Sequence, residues 1–262
     1  MNQTTPAPTS DQAPDYGFLR SRRWVVGHVV VLVIVAGCVV AGFWQIARLH
    51  QRRASNSRIE AQLAQPAVPL ETLLTTSADP DTLAYRRVTT TGTYDTAHEA
   101  VLIGRTLRDE TGNNLLTPLR LPSGNALVVN RGWVPYAAAA PRDPSARPPA
   151  GTVQVTGVLM PAEKDTTEPA GAEPTSVIAT VDLGALQVGV PERLLPVYLW
   201  LQSQSPPQAG GSPASVPLPP LSEGPHFSYA VQWFTFALIG IIGYPLLIRR
   251  EASRRSARLD RS

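Results

Sequence analysis

One histidine in this sequence stands where it could bind a metal beside a set of aromatic rings. His226 opens an apolar segment that contains Tyr229 and Trp233 and ends before Arg249. Residues three and four positions apart share one face of a helix, and this face would carry His226, Tyr229, Ala230, Trp233, Ala237, Gly240 and Tyr244. The imidazole could be an axial ligand of haem iron, with the flat cofactor lying against the face. Two other interpretations stay open: ordinary interfacial aromatics beside a polar helix start, or a contact surface for another protein.

The sequence lacks the motifs of familiar enzymes. It contains no Gly-x-Ser-x-Gly, P-loop or dinucleotide fingerprint, and no carboxylate pair with a recognisable acid–base spacing. We therefore expect a protein that is not an enzyme. The single cysteine, Cys38, excludes an internal disulfide and any thiol pair, which argues against a copper-delivery or thiol-redox protein. The other histidines, His28, His50 and His98, are expected to be structural or solvated.

Two apolar segments must position the candidate residues. Residues 24–47 and 226–248 are each long enough to cross the hydrocarbon core of a membrane as a helix. The first helix is predicted to continue beyond the membrane to about Gln65, before Pro66. Because the arginines crowd at the ends of these segments, membrane flanks explain them better than a nucleic-acid-binding surface does. The many prolines and alanines are typical of a bacterial chain.

One short motif in the first apolar segment suggests a different anchor. Residues Val35 to Cys38 resemble the site at which bacterial lipoproteins are cut and acylated. A mature chain beginning at Cys38 would start with half a membrane helix instead of a polar tether, so we expect Cys38 to be an apolar filler. Gly37 and Ala41 have the small-xxx-small spacing at which a second helix could approach.

The region between the apolar segments consists of short β-like runs separated by turns. The predicted strands are 85–94, 100–105, 115–121, 126–134, 152–159 and 196–202. A short helix is predicted at 182–189. The predicted fold class is a membrane protein whose two transmembrane α-helices flank an extracytoplasmic, mainly antiparallel β domain, either a sheet or a partly closed barrel.

The arginines also orient the chain. They predict that both termini are cytoplasmic and that the β-rich domain lies outside the cytoplasmic membrane of a bacterium. Trp44, Gln45 and Arg48 then lie at the outer end of the first helix, at about the same depth as His226, and suit a membrane interface. The predicted divisions are a disordered N-terminus (1–23), the first span (24–47), the β-rich domain (48–204), a proline-rich linker (205–225), the second span (226–248) and a basic tail (249–262).

Four groups of residues resemble the Surfeit locus protein 1 family of cytochrome c oxidase assembly factors. The groups are Gly42-Phe43-Trp44-Gln45-Ile46-Ala47-Arg48-Leu49, Tyr85-Arg86-Arg87-Val88 with Gly92-x-Tyr94-Asp95, Thr117-Pro118-Leu119 with Val128-Val129-Asn130-Arg131-Gly132-Trp133-Val134-Pro135, and His226-x-x-Tyr229-Ala230-x-Gln232-Trp233-Phe234. Each is weak alone, but they occur in order between two apolar segments. Residues 165–220 show no signature of the family.

The resemblance implies a function and a set of site residues. It implies a non-enzymatic factor that helps to insert haem a into the catalytic subunit of a haem–copper oxidase. His226 matches the histidine proposed to bind haem a and is the one expected metal ligand. The other expected cofactor-binding residues are Tyr229, Gln232, Trp233, Trp44, Gln45, Arg48 and Arg131. Arg131 could pair with a haem propionate or could brace the β domain.

The resemblance also implies the partners. They are the oxidase catalytic subunit, haem A synthase and the lipid bilayer, with no nucleic acid. Two alternatives stay open. The protein could be a scaffold that stabilises an oxidase subunit without binding haem, or an envelope anchor with two spans that is unrelated to respiration.

Overall fold

The fold consists of two compact units, which are described separately. The structure is a computed structural model that describes residues 16–76, 79–136, 144–163 and 176–259. One unit contains the chain up to Asn56 and from Leu221 onward, and the other contains Ser57–Pro220. Most of the N-terminus expected to be disordered lies outside the described residues.

Two long helices form the first unit. They are α1 (Arg22–Leu63) and α5 (His226–Leu259), and both are long and apolar enough to cross a membrane. Helix α1 continues beyond the predicted span because residues 48–63 contain neither proline nor glycine, and it ends before Pro66. Helix α5 continues past the predicted span to Leu259, within the basic tail. Ahead of α1, Gly17–Arg20 form a 3₁₀ turn within the predicted disordered terminus.

The two helices contact each other along seams that repeat every seven residues. The less exposed positions alternate at spacings of four and three, as in a coiled coil: Trp24, His28, Val31, Val35, Cys38, Gly42, Gln45 and Leu49 on α1, and His226, Ala230, Trp233, Ala237, Gly240 and Tyr244 on α5. A Cβ added at Gly42 would lie 2.7 Å from the Phe234 ring, and one at Gly240 would lie 2.7 Å from Val35.

The predicted approach site at Gly37 and Ala41 is wrong. Gly37 is exposed and has no neighbouring atom within 4 Å of the Cβ that it would carry. The contact runs instead along the neighbouring seam of Cys38 and Gly42, because that seam also carries the polar residues that bond to α5. Cys38 is buried in an uninterrupted helix, as expected for an apolar filler.

The second unit is an eight-stranded β domain. Its elements are β1 (Val68–Pro69), α2 (Leu70–Thr76), α3 (Pro80–Leu83), β2 (Arg87–Tyr94), β3 (Ala100–Leu107), β4 (Glu110–Arg120), β5 (Asn125–Pro135), β6 (Thr152–Pro161), β7 (Val177–Ile178), α4 (Leu183–Gln187) and β8 (Arg193–Ser205). All six predicted strands are present, as is the predicted short helix at α4. Asp182 caps α4 by accepting hydrogen bonds from two backbone amides of its first turn. Strands β1 and β7 and helices α2 and α3 were not predicted.

Five of the strands close into a barrel. The order β2–β6–β8–β5–β4 returns to β2 because Thr93 and Tyr94 pair with Arg120 and Leu119. The barrel alternative of the prediction is therefore confirmed. The sheet is mainly antiparallel, as predicted, although β5 and β8 run parallel, as do the short pairs β1–β2 and β3–β7. Leucines and valines of the five strands fill one core, which α2 and α3 also join.

The segment predicted to be a linker is bound to the β domain. Trp133 and Ala214 exchange two backbone hydrogen bonds of 2.8 Å each. The Trp200 indole N–H donates to the Val216 carbonyl at 2.8 Å. The chain after β8 therefore crosses the sheet as a fixed strap, which we define as residues 206–216.

Candidate functional site

The predicted metal ligand lies where the two long helices meet. The chain enters α5 through Gly224, whose φ of +72° favours glycine, and then through Pro225. His226 is half-buried, and its Nδ1 lies 2.8 Å from Oε1 of Gln45 on α1. An amide oxygen can only accept, so Nδ1–H is the donor. A Cβ at Gly224 would stand 3.4 Å from Nε2 of His226, so glycine keeps the space beside that nitrogen open.

The structure brings Gln45 to His226, but the other predicted site residues lie apart from this contact. Gln45 is buried, whereas Trp44 is 61% exposed and Tyr229 is 47% exposed. Arg48 and Gln232 are also exposed. Among the described residues, no hydrogen bond or ring contact joins these four side chains to the imidazole. Any role for them in binding a ligand stays a prediction.

Trp233 faces the seam between the helices. It is half-buried, and its ring packs edge-on against that of Phe236 at 6.0 Å between centroids. Nearby, the rings of Phe43 and Phe234 meet at 5.3 Å. The α5 face that was predicted to receive a flat cofactor therefore packs against α1 along much of its length, and His226 stands at its N-terminal end.

An ion pair close to His226 was missed by the sequence analysis. Arg53 donates two hydrogen bonds of 3.0 Å to the carboxylate of Glu223, three residues before His226. The hydrogen bond from Arg53 lowers the pKa of Glu223 below its usual value. Both side chains are about half exposed, so the pair orients the start of α5 more than it stabilises the fold. The feature of the sequence that could have predicted this ion pair is the presence of opposite charges just beyond the two predicted spans.

A second histidine bond joins the opposite ends of the helices. His28 Nδ1 and the Tyr244 hydroxyl lie 2.6 Å apart and share a hydrogen bond, with the rings packed edge-on. His28 thus has the structural contact expected of it. His98 does too, since its Nδ1 lies 2.6 Å from the Asp95 carboxylate.

Arg131 is buried inside the β domain. It is the extra residue of a β-bulge, since Leu115 and Leu116 of β4 pair with Gly132 and Asn130 of β5. Its guanidinium donates from Nε to Thr117 Oγ1 (2.8 Å), from Nη1 to Gln208 Oε1 (3.2 Å), and from Nη2 to Glu99 Oε2 (2.6 Å) and to the Ala146 carbonyl (2.9 Å). Of the two roles considered for Arg131, these contacts favour the brace.

The Tyr94-Asp95 motif lies next to this network. The Arg131 guanidinium stands over the Tyr94 ring, 5.7 Å from its centroid, and burial raises the pKa of Tyr94. Burial would also raise the pKa of Asp95. Hydrogen bonds from His98, from Arg120 at 2.7 Å and from the Ala97 amide outweigh that effect and hold the pKa of Asp95 below its usual value. This motif therefore has structural contacts.

His226 offers a single nitrogen as a metal ligand, beside Gly224. Among the described residues, no three His, Cys, Asp or Glu side chains gather into a group that could hold a free metal ion. Haem would bring most of the ligands of its own iron and would need only such a nitrogen from the protein, so these residues fit haem.

The fold and the site define a class of protein: a β-barrel domain inserted between two helices that could cross a membrane, with one imidazole oriented where those helices meet. The model of the SURF1 (Surfeit locus protein 1) family matches residues 32–238, and the chain belongs to this family. The match includes both Gln45 and His226.

Relatives cover nearly the whole chain. An uncharacterized SURF1-like protein of Mycobacterium tuberculosis is 28% identical over 238 residues, covering 88% of this chain and 85% of that protein. A SURF1-like protein of Rickettsia felis is 26% identical, covering 86% of this chain and 98% of that protein. One of Monosiga brevicollis is 28% identical, covering 83% and 85%. The resemblance inferred from the four groups of residues is confirmed.

Proposed function

We propose that this protein is a membrane-anchored, non-enzymatic assembly factor of a haem–copper cytochrome c oxidase, and that it helps to insert haem a into the catalytic subunit. Membership of the SURF1 family, which is associated with oxidase assembly, supports the general role. The observation that carries the haem assignment is the geometry of His226, whose Nδ1 is held by Gln45 and whose Nε2 stands beside Gly224.

His226 is the residue that would hold the haem, through Nε2. Haem a, when bound, would supply an iron that the His226 imidazole could ligate. One protein ligand is compatible with a carrier that must later release its cargo. Phe227 and Tyr229 at the start of α5 are 61% and 47% exposed and offer aromatic surface to a haem ring.

The arrangement in the membrane belongs to the same proposal. Helices α1 and α5 cross the cytoplasmic membrane of a bacterium, both termini are cytoplasmic, and the β domain is outside. The support is the concentration of arginines at the N-terminal end of α1 and at the C-terminal end of α5. His226 then lies at the outer surface, where it can meet the oxidase catalytic subunit and haem A synthase.

Spectra of membranes test the role in oxidase assembly. The gene is deleted, and reduced-minus-oxidised spectra compare the a-type haem band with the b- and c-type bands. We expect selective loss of the a-type band, which wild type and His50→Ala restore and His226→Ala does not. His50 is a matched control because it is an exposed histidine on α1.

The outcomes separate the proposal from its alternatives. Restoration by His226→Ala, together with co-purification of the oxidase subunit, would favour a scaffold that does not bind haem. An intact a-type band in the deletion strain would favour an anchor protein unrelated to respiration. Purified wild-type protein made with haem A available should show a stoichiometric Soret band that His226→Ala removes.

A further inference from the structure

Gln45 on α1 is the hydrogen-bond partner of His226 on α5. The Gln45 amide oxygen lies 2.8 Å from Nδ1 of the imidazole, and that oxygen has no proton to give. Nδ1 must therefore carry the proton. A neutral imidazole has only one such proton, so Nε2 keeps a free electron pair, which is the form that binds a metal.

We propose that Gln45 is the positioning residue of the haem site, because it holds His226 in the Nδ1–H tautomer and directs the bare Nε2 to the open side of the helix pair. The inference rests on the proposed function for the identity of the ligand. It goes beyond that function by assigning a role to a residue on the other helix.

The packing of α1 against α5 restricts the movement of the Gln45 side chain. Its side chain is only 9% exposed, and it lies on the seam between Gly42 and Leu49, which are also buried. Phe234 of α5 fits against Gly42, so the helices are in close contact one turn away. About two turns beyond Gln45, Arg53 pairs with Glu223, three residues before α5 begins.

The contact at the opposite end of the helices provides a contrast. His28 is also bonded across the helix pair, but its partner is the Tyr244 hydroxyl at 2.6 Å. A hydroxyl can donate or accept, so it does not select a tautomer. Both contacts can tie the helices together, but only the amide at Gln45 dictates which nitrogen is free.

The tautomer can be measured without haem. Full-length protein labelled with ¹⁵N-histidine in detergent is compared with Gln45→Leu, Gln45→Glu and the matched control Tyr244→Phe. In wild type, His226 should show a protonated Nδ1 and a bare Nε2. Gln45→Leu should move the proton to Nε2 in much of the population. Gln45→Glu, which keeps an acceptor, should leave Nδ1 protonated, and Tyr244→Phe should retain the wild-type pattern. A bare Nδ1 in wild type, or no change in Gln45→Leu, would overturn the inference.

Haem binding tests the consequence. Titration with haem A should show that Gln45→Leu weakens the affinity by about 10–100-fold, as is usual when the hydrogen-bond partner of a metal-ligating histidine is removed. Gln45→Glu should restore the affinity. It should also lower the reduction potential of the bound haem, because a carboxylate makes the imidazole more electron-rich. Equal affinities of wild type and Gln45→Leu would refute the positioning role.

These experiments distinguish a failure of the proposed function from a failure of the inference about Gln45. If wild-type protein binds no haem A, the proposed function falls. The nitrogen signals still decide whether Gln45 orients His226, since they are recorded on the protein alone. If haem binds and the tautomer does not depend on Gln45, the proposed function stands and the inference falls.

Discussion

The buried ion pair of the β domain gives the sharpest prediction about stability. Arg131 and Glu99 are both almost completely buried, with side chains 1% and 4% exposed, and their closest atoms are 2.6 Å apart. Arg131→Met keeps most of the length of the side chain while removing the charge and every donor. We expect it to unfold the β domain at a much lower temperature.

The expected loss of stability follows from the buried groups that lose Arg131 as a hydrogen-bond partner. The substitution leaves the Glu99 carboxylate without its guanidinium, and it removes the donor from Thr117 Oγ1, Gln208 Oε1 and the Ala146 carbonyl. Breaking a buried pair by removing one partner costs about 3–5 kcal/mol. That is a large part of the roughly 5–15 kcal/mol that stabilises a typical domain. For a domain of this size the melting temperature should fall by about 6–20 °C.

Thermal unfolding of the full chain in detergent measures the effect, with tryptophan fluorescence as the signal because Trp133 and Trp200 lie in the β domain. Arg131→Lys is the control, since it keeps the charge but not the fork of donors, and it should lose less stability. Combining Arg131→Met with Glu99→Gln removes both charges and should recover part of the loss. A fall of less than about 1 kcal/mol for Arg131→Met, or strict additivity in the double variant, would refute the brace.

Three further substitutions test other parts of the fold. Gly42→Ile should force the helices apart and cost about 1–3 kcal/mol in thermal unfolding, while Gly37→Ile, on the open side of α1, should have little effect. Asp95→Asn should change the pH dependence of the free energy of unfolding. Because the pKa of Asp95 is lowered in the folded state, its contribution to stability is complete above about pH 4 and is lost as the pH falls through that lowered value. Wild type and Asp95→Asn should therefore differ most in stability near neutral pH and become similar in acid. Gly132→Ala should cost about 1–3 kcal/mol in denaturant unfolding, because φ there is +135° and the new Cβ would overlap the Ala214 carbonyl oxygen; an unchanged midpoint would mean that the strap yields easily.

The strands were predictable because turns and β-like runs are local signals. All six strands and α4 follow from such runs, and closure into a barrel was one of the two stated alternatives. The parallel pairing of β5 with β8 was not predictable, since it depends on which distant strands become neighbours. The strap was taken for a linker because its composition resembles one. Its attachment depends on the backbone of Trp133, which no side-chain pattern reveals.

The candidate site, like the fold, could be predicted only in part from the sequence. His226 and Gln45 were both named from the sequence, since each stands at the outer end of an apolar segment. Their hydrogen bond could not be predicted, because it requires the rotation of each helix about its axis as well as its depth. The small residues Gly37 and Ala41 suggested the wrong rotation. Arg131 was also named from the sequence, but it does not belong to the contact at His226. The β-bulge directs its side chain into the β domain, away from any haem propionate.

The two histidine bonds together set the register of α1 against α5. His28 precedes Gln45 by 17 residues, and Tyr244 follows His226 by 18 residues. At 1.5 Å per residue these separations are about 26 Å and 27 Å, close to the roughly 30 Å thickness of a hydrocarbon core. In a bilayer of that thickness, one polar contact would lie near each surface, with the apolar seam between them. A slip of one helix turn would break both bonds at once. The pair thus has one favoured register, in which Nδ1 of His226 meets Gln45.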